Sequence, residues 1–156
     1  MQAYSLEIND FYCSEYTLLG IHTPLDDFKL AYMLNKNLEI QLTRANYELD
    51  FEENKNKSSY PVFEFYDKEF DINWFLIANI FRGKRETNNI SLFEESYVKT
   101  YLIPEKKKVD FFLKIEGGFD YDFVVKTIDK IKKISQIETS YTIDSNTLKS
   151  KENLIF

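Results

Sequence analysis

The stretch VDFFLKIEGGFDYDFVVKTIDKIKK, from Val109 to Lys133, predicts a strand followed by a helix. Apolar residues recur at every second position from Val109 to Ile115, which is the period of a strand, and Gly117-Gly118 then interrupts the pattern. A helix is predicted to begin near Asp120, because the next apolar residues recur at helical spacing. They are Tyr121, Val124, Val125, Ile128 and Ile131. A helix with one apolar face indicates a fold in which helices pack on strands.

A similar unit lies earlier in the chain. Tyr16 to Ile21 is apolar and typical of a strand, and Thr23-Pro24-Leu25-Asp26 follows it. This tetrapeptide predicts a helix start, because it offers a capping hydroxyl on Thr23 and a proline at the first helical position. The helix is predicted to run to about Asn37. Residues 38–43 then alternate between apolar and polar, as in a half-buried strand.

The middle of the chain is rich in strand-like segments. We expect a hairpin around Ala45-Asn46, a central strand within Phe70–Ile80, and polar, flexible loops near residues 52–59 and 82–91. The predicted fold is therefore α+β: a single domain over residues 1–156, with one mostly antiparallel or mixed sheet of about six to eight strands and two main helices packed on it. The strand-like segments of the middle region are Tyr47–Phe51, Tyr60–Tyr66, Phe70–Ile80 and Tyr97–Leu102.

A proline-broken, lysine-rich turn, YLIPEKKKVDF, spans Tyr101 to Phe111 between two strand-like segments and is interpreted as a hairpin. Its residues Ile103-Pro104-Glu105 and Val109-Asp110 stand at the spacing IPExxxVDY. On this spacing the chain resembles the IPExxxVDY family of Bacteroidetes-type bacteria, whose function is unknown. Phe111 stands where the family pattern has tyrosine, so the motif lacks that phenolic hydroxyl.

The resemblance extends beyond the motif. Asp10-Phe11-Tyr12, the run Tyr16 to Asn37 and the segment Leu148 to Phe156 are also similar to that family. The resemblance implies a protein of about this length and no particular chemistry, so function has to be inferred from the residues themselves.

Composition narrows the class of protein. The 156 residues include four glycines and three prolines, which argues against glycine-rich phosphate loops and proline-rich recognition segments. The net charge of −6 disfavours nonspecific binding to nucleic acid. The sequence shows neither a secretory signal nor a run of about 18 apolar residues, so no membrane association is expected. A single cysteine, Cys13, excludes an intrachain disulfide, and the predicted location is cytoplasmic.

Residues suited to catalysis are few. His22 is the only histidine, so a histidine metal cluster is excluded, and neither a metal nor a cofactor is predicted. His22-Thr23 lies between a strand and a helix start, where a pocket for a small ligand or a substrate can form. The alternative interpretation is a polar turn beside a helix cap. Cys13 is either a nucleophile within reach of His22 or, more simply, a buried small apolar residue. No catalytic residue is assigned.

The lysine-rich turn is the strongest candidate for binding. Pro104, Glu105, the run Lys106-Lys107-Lys108 and Asp110 form a candidate contact surface for a protein partner, and the leading hypothesis is a non-enzymatic binding or adaptor protein. The lysines are also explained as a solubilising hairpin tip. The alternatives are a small-ligand sensor or enzyme with a pocket near His22-Thr23, and an RNA-binding module that uses strand aromatics and lysines.

Overall fold

The computed structural model describes residues 16–84 and 97–156. Within them the fold is α+β, as predicted, with every pair of neighbouring strands antiparallel. The strands are β1 (Thr17–His22), β2 (Thr43–Glu53), β3 (Asn56–Asp67), β4 (Ile72–Ala78), β5 (Ile80–Lys84), β6 (Tyr97–Tyr101), β7 (Phe111–Glu116) and β8 (Thr139–Ile143). The two main helices are α1 (Asp27–Leu38) and α2 (Tyr121–Lys132). Six strands form one sheet in the order β2-β3-β4-β7-β1-β8, and β5 pairs with β6 in a small second sheet.

The predicted hairpin at Ala45-Asn46 is wrong. β2 continues through these residues, which lie in an irregularity of its pairing with β3 between Arg44 and Glu48. The chain reverses instead at Asn54-Lys55, where φ is 51° and 65°. A two-residue turn with positive φ at both positions matches the twist of antiparallel strands, and asparagine tolerates that conformation.

The predicted loop at residues 52–59 is also wrong. These residues are the end of β2, the two-residue turn and the start of β3, so they form the far end of the β2–β3 hairpin. Most of them are exposed, so the sequence carries no alternating apolar signal there. Of the second predicted loop, residues 82–84 belong to β5, and residues 85–91 lie outside the described residues.

The predicted strand at residues 38–43 is also corrected. Leu38 ends α1, and Glu39 follows with a φ of 57° in the left-handed region. Ile40 and Leu42 are buried, which produces the alternating pattern without a strand. The Asn35 side chain holds this connection, because its Oδ1 accepts a hydrogen bond from Leu42 N and its Nδ2 donates to Leu42 O.

The main sheet lies between two hydrophobic cores. On one face α1 and α2 contribute Leu30, Leu34 and Ile131 to a core that includes Trp74 and Leu113 of the sheet. On the other face irregular segments cover the sheet. Their buried residues are Leu102, Ile103, Val109, Leu148 and Leu154. The central position predicted for the Phe70–Ile80 segment is confirmed, because β4 lies inside the sheet beside β7. Among the described residues, neither helix is long and apolar enough to span a membrane.

Candidate functional site

The Pro104–Asp110 segment connects the two sheets and is not a hairpin. β6 pairs with β5 in the small sheet, whereas β7 lies between β4 and β1 in the large one. Pro104–Lys106 forms a short 3₁₀ helix, with Pro104 at the start where its missing N–H costs nothing. The hairpin prediction is wrong because both flanking strands have other partners, which local sequence does not reveal.

Asn79, which the sequence analysis missed, organises this connection. It lies between β4 and β5 and is fully buried. Its Nδ2 donates to Lys106 O at 2.9 Å and to Val109 O at 2.8 Å, while its Oδ1 accepts from Ile103 N at 2.9 Å. One amide therefore satisfies three backbone groups of an irregular segment. The available signal was a lone amide at the end of an otherwise apolar run.

Three further motif residues, two buried and one exposed, have contacts within the fold. Ile103 and Val109 are buried in the second core. Glu105 accepts hydrogen bonds from Ser150, from the backbone N at 2.7 Å and from Oγ at 3.1 Å. Partial desolvation raises the pKa of Glu105, but the hydrogen bonds from Ser150 and neighbouring backbone outweigh it, so this pKa lies below its ordinary value.

Asp110 and Thr23 come together, although they belong to different candidate sites in the sequence. Asp110 Oδ2 accepts a hydrogen bond from Thr23 N at 2.9 Å. The Thr23 hydroxyl donates to Gln136 O at 2.8 Å and accepts from Leu25 N.

The Thr23 hydroxyl does not cap α1, and the predicted helix start is wrong. Asp26 is the cap, with Oδ1 accepting from Lys29 N at 2.9 Å.

The outward surface of the motif segment is basic. Pro104, Glu105, Lys107 and Lys108 are exposed, and Lys106 is half-buried, so three lysines outnumber one carboxylate on this side. The Lys107 ammonium lies 5.7 Å from the centre of the Tyr101 ring, within the range of a cation–π contact. The segment thus has two sides, one occupied by contacts within the fold and one open to solvent.

A cleft of about 700 Å³ lies beside Pro104, and we call it the hairpin cleft. Phe51 pairs with Ser58 in the β2–β3 hairpin, so their side chains lie on the same side of it. Tyr60, two residues after Ser58, is on that side too and belongs to the second core. Glu53, two residues after Phe51, follows the same alternation toward the cleft. The Tyr60 hydroxyl is buried and lacks a hydrogen-bond partner among the described residues. The cleft is lined by Phe51, Glu52, Glu53, Asn54, Asn56, Ser58, Tyr60, Thr100, Tyr101, Leu102, Pro104, Ser150 and Asn153.

A second cleft, of about 430 Å³, lies at Thr23, where the alternative pocket was predicted. Asp26, Asp27, Asp110 and Arg82 contribute to its lining. His22 does not line this cleft: its Nε2 lies 2.8 Å from the hydroxyl of Tyr141. Within residues 16–84 and 97–156, no group of three or more His, Cys, Asp or Glu residues is placed to hold a metal ion. Cys13 lies outside the described residues.

The exposed aromatic residues are spread over several elements. Both faces of the large sheet carry a hydrophobic core, so the described part of the chain does not display a row of aromatic rings on an open sheet face beside the lysines. The exposed rings are Phe28 and Tyr32 of α1, Tyr121 of α2, Tyr47 of β2, Tyr66 of β3, Phe70 of the β3–β4 turn, Tyr97 of β6, Tyr141 of β8, and Phe156.

No family model, curated protein or solved structure matches the chain. The likeness to the IPExxxVDY family stays an interpretation of the sequence.

Proposed function

We propose that this protein is a cytoplasmic, non-enzymatic binding or adaptor protein whose partner is another protein. The partner contacts the outward side of the Pro104–Asp110 segment and the hairpin cleft beside it. One observation carries the proposal: the buried groups of the motif hold the fold together, whereas Pro104, Lys107 and Lys108 are exposed and Pro104 lines the hairpin cleft. A fixed backbone with an exposed basic side suits a recognition surface, because little ordering is needed on binding.

Charge supports a directional contact. The chain has a net charge of −6, so the lysines of the motif segment form a local positive region on an acidic protein. Glu52 and Glu53 of the β2–β3 hairpin line the cleft together with Pro104. A partner with complementary charges would be oriented by this arrangement, and rim charges of this kind act mainly on association rate and specificity.

The cleft supplies the concave part of the surface. Its volume of about 700 Å³ is within the range of about 300–1,000 Å³ that ligand sites occupy. Phe51 and Tyr101 add aromatic surface, and amide and hydroxyl groups such as Asn56 and Thr100 add polar contacts. This mixture is suited to a peptide segment of a partner, which presents both apolar side chains and backbone polar groups.

The test replaces Lys106, Lys107 and Lys108 together with glutamine in the tagged protein. Purification from the producing cells at low salt should recover less partner than the unchanged protein does, and added salt should reproduce the loss. The melting curve should be unchanged, because exposed charges contribute little to stability. The matched control replaces three exposed lysines of α2, Lys126, Lys130 and Lys132, and should recover the partner normally. Equal recovery by both variants would remove the lysine surface from the proposal.

The same purification decides between partner classes. Nuclease treatment that releases the recovered material would favour the RNA-binding alternative over a protein partner.

Replacement of Phe51 by serine tests the cleft separately from the lysines. We expect it to reduce recovery at every salt concentration, because it removes apolar contact area instead of charge.

The cleft at Thr23 favours a second candidate function, a small-ligand sensor. Asp26, Asp27 and Asp110 stand near Arg82 in its lining, so it offers both signs of charge to a small polar molecule. A thermal-shift screen of small amines and organic acids tests this function. A ligand whose stabilisation is lost in Arg82→Gln, but kept in the triple lysine variant, would establish it in place of the adaptor role.

A further inference from the structure

A buried lysine lies at the centre of the sheet face opposite the helices. Lys114 is in β7, and its side chain is only 3% exposed. The ammonium lies over three aromatic rings, 4.8 Å from the centre of Tyr16, 5.4 Å from Phe75 and 4.4 Å from Phe156. Its Nζ also donates to Leu154 O at 2.8 Å and pairs with Glu116 Oε1 at 2.9 Å. A buried charge is retained in a fold when contacts of this kind replace water.

These contacts come from two different sources. Tyr16, Phe75 and Glu116 belong to the sheet or directly precede it, and Phe75 is the register partner of Lys114 across β4 and β7. Leu154 and Phe156 belong to a separate segment, Ser150–Phe156. The sheet side of the site is therefore held by strand pairing that does not involve this segment, and we expect it to stay assembled without the segment.

Residues 150–156 contact the rest of the protein as a bound peptide does. Leu154 is buried, Ile155 has extended dihedral angles and is 73% exposed, and Phe156 packs edge-on against Phe75. Lys151–Leu154 form a short 3₁₀ helix, and the chain then extends through Ile155, so Leu154 and Phe156 are the two anchored residues. Three further hydrogen bonds, two from Ser150 to Glu105 and one from Asn153 to Leu102 O, fix its other end.

We propose that the cage around Lys114 is a peptide-recognition site and that the Ser150–Phe156 segment is its exchangeable ligand, bound in cis. The site takes a segment in which a short 3₁₀ helix ends at a leucine that lies two residues before an aromatic residue. The leucine carbonyl accepts from the ammonium, and the aromatic ring covers it. Lys114 and its aromatic cage do not line the hairpin cleft, although Ser150 and Asn153 of the exchangeable segment do, and the proposal does not depend on the adaptor role proposed above.

Exchange depends on competition between the cis segment and an added peptide. A tethered segment is present at an effective concentration in the millimolar range, so a free peptide competes poorly with it. Phe156→Ala in the full chain weakens the cis ligand while it leaves Lys114, Tyr16 and Phe75 in place. Because Phe156 is partly exposed, we expect this variant to fold.

The experiment measures fluorescence anisotropy of an amidated peptide of sequence SKENLIF, labelled at its N-terminus. The full chain with Phe156→Ala should bind it at least tenfold more tightly than the unchanged chain. A peptide with alanine in place of the phenylalanine should bind at least tenfold more weakly, because the ring that covers the ammonium is gone. Lys114→Met, added to the Phe156→Ala chain, should abolish binding.

Three outcomes would overturn the proposal: no peptide binding by a folded Phe156→Ala chain, equal affinity for the two peptides, or binding that survives Lys114→Met. If Lys114→Met does not fold, Phe75→Leu in the same background replaces it, since it removes one ring and keeps the charge. We then expect binding to weaken about fivefold, and unchanged affinity would count against the site. If Phe156→Ala does not fold, the unchanged chain is titrated with the two peptides up to millimolar concentration. Tighter binding of the phenylalanine peptide than of the alanine peptide supports the proposal, and no binding or equal binding overturns it.

Discussion

Asn79 shows how one side chain can replace a piece of regular structure. The backbone groups at Ile103, Lys106 and Val109 lie in an irregular segment, so no strand ladder pairs them. A primary amide both donates and accepts, and it therefore satisfies groups of both kinds. Aspartate at this position would accept only, which leaves the carbonyls of Lys106 and Val109 without a donor.

Asn79→Ala should lower the free energy of unfolding by about 2–4 kcal/mol, because it leaves buried backbone groups unpaired. Asn79→Asp should also destabilise the protein, despite its similar size. Urea denaturation measures both effects, and Asn146→Ala, at an exposed position, is the control. A loss below about 0.5 kcal/mol for Asn79→Ala would show that water replaces the amide at no cost.

Glu105 links the motif to Ser150, and its contribution depends on pH. Its folded pKa lies below the ordinary value, which means that the ionised form is favoured by folding. The stabilisation is therefore complete above the ordinary glutamate pKa of about 4.3 and is lost as the pH falls through the folded pKa. We expect Glu105→Gln to reduce the urea midpoint at pH 7 and to have a smaller effect near pH 3. Glu138→Gln, at an exposed position, is the control for loss of a carboxylate alone. A Glu105→Gln effect of the same size at both values would contradict the Ser150 contact.

At the scale of elements, α1 illustrates a competition between two possible caps. Thr23 and Asp26 both have side chains that cap helices well, and both precede an apolar run. The Thr23 hydroxyl donates to Gln136 O of another segment and accepts from Leu25 N, whereas Asp26 accepts from Lys29 N in the first turn of α1. The helix consequently begins three residues later than the cap at Thr23 predicts.

Asp26→Ala should lower the free energy of unfolding by about 1 kcal/mol, and Asp26→Asn by only a few tenths, because asparagine also caps helices. Thermal unfolding of the two variants measures the difference. Asp129→Ala, on the exposed face of α2, is the control for loss of a carboxylate alone. Equal losses for Asp26→Ala and Asp26→Asn would mean that charge, and not the cap hydrogen bond, stabilises this end of α1.

At the scale of the whole molecule, the central strands couple the two hydrophobic cores. β4 and β7 are buried on both faces, with Trp74 and Leu113 in the helix-side core and Ile77 and Phe112 in the opposite one. Because both cores pack against the same strands, loss of the packing in one core would expose one face of the strands that support the other core. The two cores should therefore unfold together.

Leu34→Ala in the helix-side core and Leu148→Ala in the opposite core should each lower the free energy of unfolding by about 2–5 kcal/mol. Both variants should shift a single transition. Fluorescence of Trp74, the only tryptophan, reports the helix side, and far-ultraviolet circular dichroism reports the whole fold. The two probes should coincide in urea. A Trp74 transition that does not move in Leu148→Ala would show that the segments on the second face unfold separately.

Local periodicity was enough to predict the α+β class, α2 with its buried Ile131, and the central position of β4. These features depend on residues within a few positions of one another, where spacing alone tells a strand from a helix. The exposed lysines of the motif were also recognisable, since charge density is a local property.

The roles of the motif residues were decided by tertiary structure. Asp110 meets Thr23 across 87 positions of sequence, and Lys114 meets Leu154 across 40. Even the hairpin turn at Asn54-Lys55 escaped prediction, because its exposed strands lack the burial that creates alternation. A polar side chain takes its role from whichever partner packing brings within about 3 Å. That partner is set by the path of the whole chain, and sequence spacing carries no information about it.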